Sequence, residues 1–180
     1  MIGKLLRRLV LAAALPALMF TSAQPALAAP PVPVEPQTFN LPAGSACPGF
    51  AVRLEQSGGN LHTKEFTDRD GNLVKVIQAG KGFLLTYTNL GPDVNNPVLG
   101  ESISIRSNGS VSKTTINPDG TQTVSATGHN GLILFPTDVP AGPTTTQYIG
   151  RIVYNVDTGG VFTLVSTTGQ ERDICAELAD

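Results

Sequence analysis

His62 and His129 are the two histidines of this chain. Imidazole is the side chain best matched to proton transfer near neutral pH and to transition-metal ligation. Neither histidine has a cysteine or a second histidine at metal-ligand spacing, so no metal is expected. His129 stands in Gly128-His129-Asn130-Gly131, which reads as a tight turn, and Asn130 beside it adds an amide able to contact a ligand. His62 reads as a residue at a strand edge. His129, Asn130 and His62 are therefore the candidate site residues, and their spacing assigns none of them a catalytic role.

Other chemistries find less. Asp68, Asp70 and Asn72 resemble the first half of a calcium loop. An EF-hand begun at Asp68 needs Gly at its sixth place and Glu at its twelfth, and those places hold Leu73 and Ala79. Asp68-Arg69-Asp70-Gly71 reads better as a hairpin turn. No G-x-S-x-G elbow occurs. Glu55, Glu65, Glu101 and Asp138 are the carboxylates to weigh for a glycosidase pair, and nothing in the order of residues brings two together. There is no Trp and there are three Tyr (Tyr87, Tyr148 and Tyr154), a poor supply for a sugar-stacking surface. No cofactor is expected. Asn108-Gly109-Ser110 fits the glycosylation pattern, yet Asn-Gly is also the commonest hairpin signal.

The amino terminus sets the compartment. Lys4, Arg7 and Arg8 precede an apolar run over residues 9–20, and Ala26-Leu27-Ala28 is a small-x-small cleavage site. That succession is a secretory signal peptide over residues 1–28, with an apolar run too short to span a membrane. Arg7-Arg8 also fits a twin-arginine signal loosely. Beyond residue 28 there are 9 basic residues (12 less Lys4, Arg7 and Arg8) against 14 acidic ones, a formal net charge of −5. So mildly acidic and sparsely charged a surface gives no case for nucleic acid. No second apolar run reaches membrane length. Cys47 and Cys175 remain, an even count in an exported chain, and are expected to form one disulfide.

The elements that must position these residues are strands. Residues 29–46 hold five prolines and read as an extended linker, leaving a single all-β domain over residues 47–180. A strand is expected over 50–55, a hairpin over 61–67 and 72–78, and further strands over 83–89, 147–157 and 161–167. Pairing Asp68 with Asn72 would set Glu65 opposite Lys75. Residues 101–135 read as a three-stranded meander followed by a strand over 131–135 that is apolar throughout, as in one buried on both faces. A two-residue Asn108-Gly109 loop of type I′ would pair Ile105 with Ser112. A three-residue loop closed by Gly120 would pair Thr114 with Val124 and Ser112 with Ala126. That register gathers Ile103, Ile105, Ile116, Val124 and Ala126 on one face, and a one-residue slip would split them. The tail over residues 171–180 reads two ways: Ile174 and Leu178 have helical spacing, while Ile174, Ala176 and Leu178 also alternate as in a strand, and the short terminal helix is preferred.

About ten short strands rich in Thr, Val and Ile make an antiparallel β-sandwich, with a closed or partly open barrel as the alternative. The segment from Thr127 to Pro140, Thr-Gly-His-Asn-Gly-Leu-Ile-Leu-Phe-Pro-Thr-Asp-Val-Pro, and the ending Asp173-Ile174-Cys175-Ala176 resemble small exported actinobacterial proteins of unassigned function. That resemblance implies secretion and a β-domain and carries over no functional residue. The leading expectation is an extracellular binding or envelope-associated module without catalysis, meeting a ligand or surface partner outside the cell. The alternatives are a small-ligand carrier or isomerase with an apolar cavity, and a secreted hydrolase. A cavity lined by Phe83, Leu85, Tyr148 or Tyr154 would favour the carrier. His129 facing a carboxylate and a hydroxyl would favour the hydrolase.

Overall fold

Period-two alternation of apolar and hydroxyl side chains dominates the chain, and strands dominate the structure. The computed structural model describes residues 32–33 and 35–179. The expected signal peptide lies outside them. In chain order the elements are β1 (Val32–Pro33), β2 (Gln37–Leu41), β3 (Val52–Ser57), β4 (Asn60–Thr67), β5 (Leu73–Lys81) and β6 (Leu84–Asn89). There follow β7 (Ser102–Arg106), β8 (Val111–Ile116), β9 (Gln122–Leu134), β10 (Thr144–Val156), β11 (Phe162–Asp173) and the helix α1 (Ile174–Leu178). Two antiparallel sheets result, one in the order β1-β4-β5-β8-β9-β10-β11 and one in the order β2-β3-β6-β7. Neither sheet closes on itself, so the sandwich holds and the barrel alternative falls.

The second half of the central meander forms as expected. Thr114 pairs with Val124 and Ser112 with Ala126. The loop is closed by Asn117 N–H donating to Thr121 O (2.8 Å) and Gly120 N–H donating to Asn117 O (2.9 Å). Gly120 has φ +84°, where a β-branched side chain is strained. Gly120→Val should therefore cost about 1–3 kcal/mol, and Asn108→Ala should cost less. Urea midpoints of both variants against the parent measure it, and an unchanged midpoint for Gly120→Val would remove the register's main support.

The first half does not form. β7 pairs with β6 in the small sheet, and β8 pairs with β5 and β9 in the large one. Ile105 therefore does not meet Ser112, and Ile103 and Ile105 leave the face shared by Ile116, Val124 and Ala126. The reason is local. A type I′ turn needs φ > 0 at both central residues, and among the described residues none other than glycine has positive φ. Asn108-Gly109 reverses the chain and carries it from one sheet to the other.

Three further expectations are corrected. Within the expected linker Gln37–Leu41 is a strand, because β2 pairs along its length with β3 at the edge of the small sheet. The prolines Pro36 and Pro42 flank that strand, where they interrupt no ladder. In the β4–β5 hairpin Asp68 N–H does donate to Asn72 O. A bulge then shifts the register, so Phe66 rather than Glu65 faces Lys75. Phe66 gains from it, since the ammonium groups of Lys64 and Lys75 lie 5.0 and 4.9 Å from its ring centre. Last, residues 128–131 are no turn. β9 runs through them, with His129 opposite Ile149 and Asn130 opposite Tyr148.

Two apolar clusters fill the interior. One joins Val52, Tyr87 and Ile105 of the small sheet to Ile174, Cys175 and Leu178 of the terminal helix. The other gathers Ala126, Leu132, Leu134, Tyr148 and Ile152 of the large sheet. Ile133 packs on the first cluster while its neighbours in β9 pack on the second, so this strand is buried on both faces as expected. Cys47 and Cys175 are bonded, with Cα atoms 5.4 Å apart. The helix is capped by Asp173, whose carboxylate accepts from Ala176 N–H at 3.0 Å. Asn89 Nδ2 donates to Leu178 O (2.8 Å) at its far end.

Candidate functional site

The cavity between the sheets begins with a length mismatch. β8 pairs with β9 no further than Val111 opposite Thr127. Beyond that point β9 continues to Leu134 with β10 as its partner, which leaves a notch in the large sheet facing the small one. Gly128 makes the bend tolerable. It has φ +86°, and a Cβ there would stand 2.3 Å from Gly109 O. The Asn108-Gly109 turn thus packs directly on β9, and Asn108 O accepts from His129 N–H at 3.2 Å.

The notch opens into a cavity of about 480 Å³, well within the range of small-molecule sites. Leu41, Leu54, Leu85 and Tyr87 line it from the small sheet; Gln78, Ser112, Leu132 and Ile133 line it from the large one. Phe83, Phe135 and Phe162 complete the apolar wall, and Phe39, 44% exposed, stands at the rim. No Asp, Glu, Lys or Arg side chain is among the lining residues.

Register explains why space is left. Gln78, Ser112, Ala126 and Ile152 face one another across four adjacent strands and share one sheet face. Ala126 and Ile152 belong to a core cluster. Ser112 occupies an inward position with a side chain too small to fill it. In β9 of the same sheet, Gly131 offers no side chain at all. A Cβ there would lie 2.5 Å from the Tyr87 hydroxyl oxygen. Tyr87 is 2% exposed, and burial pushes its pKa up to about 12, so the phenol is a neutral donor at ordinary pH.

His129 and Asn130 both line the cavity. The Asn130 amide is occupied: its Oδ1 accepts from Ser110 Oγ at 2.7 Å and its Nδ2 donates to Thr127 O at 3.1 Å. His129 shares the lining with Ser107, Ser110 and Ser112, and no carboxylate is among the lining residues. His62 is exposed and does not reach the cavity, whereas its neighbour Leu61 does; alternation along β4 sends the two to opposite faces. Tyr148 and Tyr154 pack in the large-sheet cluster instead of lining the cavity.

The four carboxylates weighed for hydrolysis do not converge. Glu55, Glu65 and Glu101 are exposed. Asp138 is 4% exposed and is used structurally. Its Oδ2 accepts from Phe135 N–H (2.6 Å) and its Oδ1 from Phe162 N–H (2.9 Å), fastening two residues of the cavity wall. Asp68 is likewise a turn residue. Its Oδ1 accepts from the N–H groups of Asp70 and Asn72, both at 2.9 Å. The Asn72 side-chain and backbone hydrogen bonds hold its carboxyl below the usual range. Among the described residues no group of three His, Cys, Asp or Glu side chains could hold a metal ion.

Sequence reasoning reached Phe83, Leu85, His129 and Asn130 but missed Ser112, Gly131 and the Tyr87 hydroxyl. The signal for Ser112 was its predicted place opposite Ala126, an inward position filled by a small polar residue. No protein-family model matches the chain, and no curated protein or solved structure is significantly similar to it.

Proposed function

We propose that this protein is an exported binding module that holds a small apolar ligand between its two sheets. The observation that carries the reading is the cavity itself: roughly 480 Å³, walled by leucine, isoleucine and phenylalanine, and free of charged side chains. The arrangement at His129 supports binding rather than hydrolysis, since an imidazole without a carboxylate partner lacks the group that orients it as a base. A neutral fluorescent reporter, 1-aminoanthracene, should bind with enhanced emission. Ser112→Phe fills the cavity from an inward position and should weaken that binding at least tenfold while leaving the urea midpoint near the parent's. An unchanged affinity in a folded Ser112→Phe would place the reporter elsewhere.

Export belongs to the same reading. The basic, apolar and small-x-small succession at the amino terminus supports cleavage after Ala28, give or take one residue, and the Cys47–Cys175 disulfide suits an oxidising compartment. Mass spectrometry of the protein from culture supernatant should find a chain beginning near Ala29. An extracellular protein with an intact Met1 would contradict it.

A further inference from the structure

We infer, resting on the cavity reading above, that the Tyr87 hydroxyl donates a hydrogen bond to the ligand and that the ligand is a neutral apolar molecule with one acceptor oxygen of the carbonyl type. Tyr87 is 2% exposed, but its hydroxyl oxygen keeps access to the cavity it lines, since the one fully buried side-chain polar atom without a partner among the described residues is Asn60 Oδ1. A hydroxyl so placed takes its partner from what fills the cavity. This one has none among the described residues, and burial is the single cause of its shifted ionisation. The oxygen faces Gly131, where no side chain intervenes, and both residues line the cavity. Two neighbouring hydroxyls are already committed: Ser107 Oγ accepts from Phe83 N–H at 2.8 Å, and Ser110 donates to Asn130; Gln56, Ser112 and His129 line the cavity as well. Tyr87 is thus a free donor in a wall that is mostly apolar.

The chemistry of the ligand follows. A phenol donates strongly and accepts weakly, because its lone pairs are delocalised into the ring. The matching group is an acceptor such as a ketone or ester carbonyl. A carboxylate or an ammonium group would be buried without a counter-charge, at a heavy desolvation cost. A pure hydrocarbon would leave the hydroxyl unpaired.

Three naphthalenes of nearly equal size separate these classes by displacing 1-aminoanthracene from the purified protein: 2-acetylnaphthalene, 2-ethylnaphthalene and 2-naphthoate. Tyr87→Phe should weaken the ketone about fivefold, the effect of one net hydrogen bond. It should leave the hydrocarbon and the reporter unchanged and should not lower the melting temperature, because the hydroxyl it removes has no partner within the protein. In the parent, the Tyr87 ¹³Cζ resonance should shift on adding the ketone and stay in place with the hydrocarbon, a readout that needs no variant. Equal ketone affinity in parent and variant, or a stationary resonance, with the reporter still bound, overturns the role of the hydroxyl and leaves the cavity reading standing. Naphthoate binding as well as the ketone at neutral pH overturns the neutral class. A parent that binds no reporter removes both.

Discussion

Replacing Cys47 and Cys175 together by serine should lower the stability of the oxidised protein by about 3–5 kcal/mol, a melting-temperature loss of roughly 10–15 °C. The bridge spans 128 positions, so it restrains nearly the whole described chain. Its removal gives the unfolded ensemble back a very large closed loop, the condition under which the chain-entropy effect is greatest. The native state loses less. Ile174 and Leu178 remain buried, Asn89 still holds the helix end, and Thr145 Oγ1 still donates to Ala46 O at 3.0 Å. The serine variant should accordingly keep its β-sheet circular dichroism while its urea midpoint falls. A loss below about 1 kcal/mol would mean that the bridge only decorates contacts already sufficient to hold the helix.

The second large effect is expected at Asp138. Asp138→Ala removes both acceptors that hold Phe135 and Phe162 N–H, leaving two donors in a largely buried corner. Hydrogen bonds to a charged group contribute more than neutral ones, and orphaned donors add their own cost. The expected loss is about 3 kcal/mol, against about half that for Asp138→Asn, which keeps one acceptor. Because both phenylalanines line the cavity, reporter affinity should fall in the alanine variant as well. Glu101→Gln, at an exposed carboxylate, serves as the control and should move neither quantity. If Asp138→Ala unfolds at the parent's urea midpoint, the carboxylate is not the fastener described above.

How far the sequence spoke depends on the scale of the interaction. The β8–β9 register was legible because a three-residue loop and a buried face agree on it: Gly120 fixes the turn, and Val124 and Ala126 require one side. The disulfide was legible from the even cysteine count, and the terminal helix only in part, because Ile174, Ala176 and Leu178 alternate as well as Ile174 and Leu178 having helical spacing. Asn108-Gly109 was misread because a chain reversal looks alike whether it joins neighbours in one sheet or crosses between two. Which occurs is set by β5 and β6, which take up β8 and β7 from outside the turn. His129 and Asn130 were read as turn residues from flanking glycines, and pairing with β10 overrode that local preference. The proline-rich segment was read as a linker because prolines resist a ladder, yet they leave Gln37–Leu41 free between them to pair with β3.

The cavity was the least legible feature. Alternation shows which side chains face inward, and so it placed Phe83, Leu85 and Tyr87 on one face. It does not show whether opposing side chains are large enough to meet. That depends on Ser112 in β8 and Gly131 in β9 lining the same space as Leu41, Leu54 and Leu85, which come from strands distant in sequence. The carrier reading could be named from the sequence as an alternative, with Phe83 and Leu85 as its markers, and the notch beyond Thr127 is what raises it above the others.

The most direct test is to map where a neutral apolar molecule binds. With ¹³C-labelled methyl groups and increasing 1-aminoanthracene, the resonances of Leu54, Leu85, Leu132 and Ile133 should shift together and saturate at one stoichiometric site. Those of Val98, Leu99 and Val165, which are exposed on the outer surface, should stay in place. Shifts confined to the exposed methyls, with the cavity methyls unmoved at saturation, would contradict a ligand held between the sheets.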